Sequence, residues 1–424
     1  MAALATSFTL ASGIVLPNRI AKSAMTEGLA DSCNRATAAH ATLYRRWADG
    51  GLGLSITGNI QIDRQHLERP GNIAIAGPLD PAGAAGLKAL AAAARSGGGA
   101  VFAQLSHAGR QTPISINRRP KAASAVVVGL PGKQFGVPEA LDDDEILALV
   151  EGFGAAAVAC RDAGFSGVQL HAAHGYLLSG FLSPLANCRT DRWGGSLENR
   201  ARFLVLSVRA AKAATGAGFG IAVKLNSADF QRGGFAAHES AAVAQMLEAE
   251  GIDFLEVSGG NYEQPRMMDS DGLRPGEARS ARREAYFLAE AEQLRRAVRT
   301  PLMVTGGFRT AAGMAAALES GACDLIGLAR PMCVLPDAPR RLLRDPQTVL
   351  PAPERSLRLG PGPLSPDSPL ALVKLLNGFG VQAWFCQQLL RLAEGEMPDL
   401  SLPVWRALSR YQARELSMAK LLER

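Results

Sequence analysis

Eight short apolar runs, set apart by segments of helical period, constrain this chain more than any other feature. They read at Arg19 to Ser23, Leu52 to Thr57, Ala100 to Leu105, Gly167 to Leu170, Gly220 to Leu225, Asp253 to Val257, Pro301 to Thr305 and Asp324 to Leu328. The helical segments include Glu145 to Ala163, Leu197 to Ala214, Glu239 to Glu250 and Glu284 to Val298, and turns such as Gly97-Gly98-Gly99 punctuate the series. Strands and helices in alternation lead to a parallel sheet covered by helices. Eight units is the count of a closed (β/α)8 TIM barrel, with a doubly wound open sheet as the structural rival.

The 424 residues leave room for more than such a barrel. Phe8 to Val15 alternates around Ser12-Gly13 and predicts a hairpin plugging the barrel floor. The expected organisation is a barrel with this hairpin over residues 1–345, a proline-rich linker over 346–369, and a helical C-terminal extension over 370–424. Hydrophobic residues at 47% can fill a large core, and 20% charged residues argue against extensive disorder. The net charge of +6 is modest and the basic residues are scattered, apart from Arg279, Arg282 and Arg283, so no nucleic-acid partner is expected. Six cysteines without Cys-x-x-Cys spacing fit free thiols in a reducing compartment. No basic residue precedes Arg19 and no apolar run is long enough to span a bilayer, which predicts a cytoplasmic protein without a membrane partner.

In a barrel of parallel strands the chemistry gathers at the strands' C-terminal ends. The fourth strand delivers His171, His174 and Tyr176 there. A His-x-x-His pair can hold a metal, but no third Cys, Asp or Glu stands at ligand spacing, and no metal is expected. Two core histidines beside a core tyrosine are the plainer alternative, against which the long Gly/Asn/Arg-rich segment that follows argues. The third strand ends in Gln104, then His107 and Arg110, which are read as ordering the loop, and the fifth carries Lys224. The seventh ends in Gly306, Gly307 and Phe308 and the eighth in Ala329 and Arg330, where barrels of this kind bind phosphate.

The run GVQLHAAHGYLLSGFLSPLANCRTDRWGGSLENRARF, from Gly167 to Phe203, closely resembles the fourth-strand signature of the old yellow enzyme family of flavin reductases. It departs from that pattern at Trp193, where tyrosine is common, and at Gly180, where a larger polar residue is usual. QLSHAGR and Asn18-Arg19 followed by Ala24-Met25-Thr26 are similar to other family segments, with Ala24 in place of proline and Lys224 where many relatives have arginine. The resemblance, over Asn18 to Arg340, implies an FMN enzyme that takes hydride from NADH or NADPH. It passes the hydride to the β-carbon of a small-molecule α,β-unsaturated carbonyl compound. By the same resemblance Ala24, Met25, Thr26, Gln104 and Lys224 would hold the flavin ring, and Gly306, Gly307, Phe308, Ala329 and Arg330 its single phosphate. His171 and His174 would donate to the substrate oxygen and Tyr176 would protonate the α-carbon. A nitro or nitrate-ester reductase on the same site, and a flavin-binding protein without catalysis, are the alternatives. The loop from Ser258 to Arg283 is expected to act as a lid, with Tyr262 as a candidate contact. Cys333 and Cys386 stand too far apart in sequence for the iron–sulfur cluster of larger relatives. The tail should pack on the barrel or against a second copy in a homo-oligomer.

Overall fold

A computed structural model describes residues 2–130, 134–260, 263, 285 and 287–422. Eight parallel strands follow the predicted runs: β1 Ile20–Lys22, β2 Leu54–Gln61, β3 Ala100–Ser106, β4 Gly167–Ala172, β5 Gly220–Asn226, β6 Phe254–Ser258, β7 Leu302–Thr305 and β8 Leu325–Leu328. Each pairs with its sequence neighbours, and β8 pairs with β1 through Ile326↔Ile20 and Leu328↔Lys22. That last pairing closes the sheet into a barrel and excludes the open alternative. The strands are buried on both faces, as parallel strands under a helical coat must be.

Period-two alternation sorts the barrel interior into layers. Lowest is an apolar floor of Ala21, Leu54, Phe102, Ala222, Phe254, Met303 and Leu325, with Leu10 and Leu16 of the predicted hairpin packed beneath it. The hairpin pairs Phe8 with Leu16 and Thr9 with Val15. Gly220 is needed here, because a Cβ at this position would lie 2.3 Å from the Phe102 ring. Two residues further along, six of the strands turn polar on the inside, with Ser23, Gln104, Gln169, Lys224, Glu256 and Thr305 forming the next layer. His171, Asn226 and Ser258 follow at the mouth.

The coat includes α1 Ala38–Asp49, α2 Pro81–Arg95, α3 Asp143–Asp162, α4 Leu177–Leu182, α5 Leu197–Thr215, α6 Ala237–Ala249 and α7 Leu288–Ala297. Start signals are local. Asp142 caps α3 by accepting from the Glu145 N–H at 2.8 Å, and Asp80 with Pro81 opens α2. Then come α8 Ala311–Glu319, α9 Arg330–Val334, α10 Ala338–Arg344 and the two C-terminal helices, α11 Ala371–Ala393 and α12 Val404–Leu421. Helix α11 packs on α1, α9 and α12, so the tail lies against the barrel of its own chain. Among the described residues no helix is long and apolar enough to cross a membrane.

Lys22 is wholly buried between β1 and α1, where it donates to the Ile56 carbonyl at 2.6 Å and lies 4.5 Å from the centre of the Trp47 ring. Burial lowers its pKa from 10.5 to about 8. The unfolded chain therefore binds the extra proton between these values, and Lys22's contribution to stability improves as pH rises from 8 toward 10.5. Relative to Lys22→Met, the unfolding free energy of the unsubstituted protein should climb by about 3 kcal/mol across that window. Urea unfolding at both ends measures it, and a pH-independent difference would contradict the assignment.

Candidate active site

One cavity of about 150 Å³ opens at the C-terminal ends of the strands. It is lined by Ala24, Met25 and Thr26 after β1, Gln104 from β3, His171, His174 and Tyr176 from β4 and its loop, and Lys224 from β5. The sequence reading named each of these. Asn59, Glu68 and Gln382 also line the cavity and were not foreseen.

The three rings of the β4 loop form one cluster. His171 stands edge-on to Tyr176 with centroids 4.9 Å apart and to His174 at 5.0 Å. Burial, with repulsion from Lys224 second, holds both imidazoles well below their usual pKa, so each is neutral near pH 7 and carries one N–H. His171 Nδ1 accepts the Ala173 N–H at 3.3 Å, which puts its proton on Nε2. His174 Nε2 lies 2.6 Å from Ser258 Oγ. Either tautomer satisfies this contact, and the one in which the serine hydroxyl donates to Nε2 leaves the His174 proton on Nδ1. His174 takes a left-handed φ of +63°, uncommon for a residue with a side chain. The Asn226 Oδ1 accepting its N–H at 3.2 Å and the Gln111 amide donating to its carbonyl at 3.0 Å hold it there. Tyr176 precedes the first turn of α4, and the Leu177 N–H bonds the His107 carbonyl at 3.0 Å.

Below the rings, Glu256 of β6 organises the polar layer. Its Oε1 accepts from Ser23 at 2.5 Å, from Thr305 at 2.7 Å and from Lys224 Nζ at 3.1 Å, and its Oε2 accepts from Gln169 at 2.8 Å. Burial pushes this carboxyl up, but Lys224 and the donors outweigh burial and leave it below its usual value. Gln169 in turn accepts the Gln104 amide at 2.7 Å. The Gln104 carbonyl oxygen makes no hydrogen bond among the described residues, so an amide acceptor and a lysine ammonium are both presented to the cavity. A buried glutamate inside the apolar run Leu255 to Val257 was the signal that could have found Glu256.

Thr26 lines the cavity and is also tied to the loop beside it. Its hydroxyl donates to Glu68 at 2.9 Å and accepts from the Asn72 amide at 3.3 Å, so its proton is turned toward Glu68. Burial raises the Glu68 pKa despite Arg69 beside it.

The phosphate candidates gather at the neighbouring strand ends, outside the lining of this cavity. Gly306 and Gly307 have φ of +105° and +86°, which glycine adopts readily. The Ser23 N–H bonds the Leu328 carbonyl at 2.8 Å, which ties the start of the Ala329-Arg330 segment to β1. Phe308 is buried, and Arg309 beside it is paired with Glu354. Glu354 also lies 4.0 Å from Arg330. Tyr262, Arg279, Arg282, Arg283 and nearly all of the expected lid lie outside the described residues.

Arg110 orders its loop as expected, with bonds to the Val127 carbonyl at 3.1 Å and to Glu263 at 2.5 Å. His107 joins Asp63 and His66 in a group close enough to hold an ion. The tautomers argue otherwise. His107 Nδ1 accepts the Gly109 N–H at 3.1 Å and His66 Nε2 accepts the Lys121 N–H at 2.7 Å, so the nitrogens facing Asp63 carry protons. His66 hydrogen-bonds Asp63 at 2.7 Å and His107 Nε2 lies 3.7 Å from the same carboxylate, so the group braces the two loops.

Comparison with known proteins gives consistent findings. Residues 6–347 match the model of the NADH:flavin oxidoreductase / NADH oxidase family. The NADH-dependent flavin oxidoreductase iccE of Talaromyces variabilis is 36% identical over 369 residues, spanning 81% of this chain and 87% of its own length. The NADH-dependent flavin oxidoreductase nadA of Aspergillus parasiticus is 38% identical over 355 residues, spanning 79% and 77%. Among solved structures, the old yellow enzyme homologue from Zymomonas mobilis superposes with a TM-score of 0.68 at 29% identity, covering 82% of this chain and 94% of that one. Morphinone reductase does so with a TM-score of 0.66 at 26% identity, covering 82% and 91%.

Proposed function

Because this chain belongs to the NADH:flavin oxidoreductase / NADH oxidase family and is an oxidoreductase that uses FMN and a nicotinamide, we propose that it reduces the activated C=C bond of α,β-unsaturated carbonyl compounds. The residues present fit the cofactor. Gln104 offers an amide edge, Lys224 a cation for the pole of the ring that gains charge, and Thr26 with Ala24 and Met25 a wall. Gly306, Gly307, Phe308, Ala329 and Arg330 would hold the phosphate. When bound, the flavin supplies the hydride chemistry between nicotinamide and alkene.

The protein's own groups then have defined tasks. His171 Nε2–H and His174 Nδ1–H donate to the substrate carbonyl oxygen, which gains negative charge as the β-carbon is reduced. Neutral imidazoles suit this task, since each keeps one fixed donor across the physiological pH range. Tyr176 gives its proton to the α-carbon as general acid. Ser258 and Asn226 hold His174, and Glu256 fixes Lys224 and, through Gln169, Gln104. The observation that carries this reading is the meeting of two neutral histidines and a tyrosine with a lysine and a carboxamide around one cavity.

Anaerobic turnover tests it. With NADH or NADPH and cyclohexenone, nicotinamide oxidation should be matched by an equal amount of saturated ketone. Oxidation that proceeds only in air, with no reduced ketone formed, would overturn the reading.

A further inference from the structure

Gln382 reaches the cavity from α11, outside the barrel. Its side chain makes no hydrogen bond among the described residues, although it is half-buried. The helix that carries it is firmly held. Trp384 Nε1 donates to the Leu402 carbonyl at 2.9 Å, and Gln388 exchanges two hydrogen bonds with Asp399, at 3.0 and 2.7 Å. Cys386, one turn beyond Gln382 on the same face, lies 3.8 Å from Arg69 Nη1. Arg69 is paired with Glu415 of α12 and covered by the Tyr411 ring at 4.9 Å, while Arg414 Nη2 donates to the Gly28 carbonyl at 3.1 Å. Both C-terminal helices are thus held onto the loops that carry Thr26 and Glu68, and they bring a carboxamide with unspent donors and acceptor to the cavity wall.

We propose that Gln382 is a specificity-determining residue, which hydrogen-bonds a second oxygen function of the substrate. The preferred substrates are then activated alkenes that carry a hydroxyl or carbonyl remote from the activating carbonyl. A carboxamide carried on a firmly held helix pairs with such a group and gains no such bond from a substrate that lacks it, which is how polar sites discriminate. This inference rests on the reading that the cavity binds the alkene substrate. Glu68 adds a second polar group to the same lining.

The test uses the FMN-loaded protein and phenols, whose oxygen mimics the charge-gaining substrate oxygen and whose binding is followed by the flavin absorbance. Phenol is compared with benzenediols and hydroxymethylphenols in the unsubstituted, Gln382→Leu and Gln382→Met proteins. At least one doubly oxygenated ligand should bind about tenfold more weakly to both variants, while phenol itself changes by less than about twofold. The same pattern should appear in kcat/KM for enones with and without a distal hydroxyl. Equal losses for phenol and every second ligand, or no loss for any, would overturn the proposal. So would a changed FMN dissociation constant, which would place Gln382 on the cofactor. If phenols left the flavin spectrum of the unsubstituted protein unaltered, the reading of the cavity itself would fail, and this inference with it.

Discussion

Replacing Tyr176 with phenylalanine is expected to slow reoxidation of the reduced protein by an enone by about 10²–10⁴-fold, the usual consequence of losing a positioned general acid. Its reduction by NADH or NADPH should be nearly unchanged, because that half of the cycle takes no proton from the protein. The substitution keeps the ring that packs edge-on against His171 and removes only the hydroxyl. Stopped-flow absorbance follows the two halves separately. Equal slowing of both would make the ring structural. Fast enone reoxidation in the variant would mean another proton source, and the nitro or nitrate-ester reading, which needs the histidine pair but no tyrosine acid, would gain support.

The second large effect concerns stability. Glu256→Ala removes the acceptor shared by Ser23, Thr305, Lys224 and Gln169, and it leaves the buried Lys224 ammonium without its carboxylate. Breaking a buried pair from one side costs about 3–5 kcal/mol, since the remaining charge stays desolvated. Glu256→Leu combined with Lys224→Met should recover much of that loss, because no orphaned charge remains. Urea denaturation of the three proteins decides it. A single-variant cost below about 1 kcal/mol would show that water reaches the layer and that Lys224 needs no partner there.

The strands were legible because each is an apolar run closed by glycine or by polar residues, and a barrel gives every such run the same environment. The β4 loop was legible for a related reason: three rings at one strand end have to converge once the strand is in a parallel barrel. For Thr26 the place was legible and the Glu68 contact was not. Its position at the end of β1 follows from the sequence, but its proton goes to Glu68, which sits in an irregular loop where no periodicity fixes direction. Gln382 was not legible at all. Helical spacing predicts α11, yet which of its faces meets the barrel depends on Arg69, Glu415 and Trp384 packing between segments far apart in the chain. Glu256 lay in plain view, as a carboxylate in a buried strand whose partners become apparent only when five strands are brought together.

A single anaerobic turnover with NADH deuterated at its transferable position tests the central claim most directly. The protein is reduced by the labelled nicotinamide, freed of excess, and mixed with cyclohexenone, and the product is examined by mass spectrometry. The account predicts one saturated ketone per flavin, with deuterium at the β-carbon and a solvent-derived proton at the α-carbon. Unaltered enone beside a flavin that stays reduced until air is admitted would contradict it.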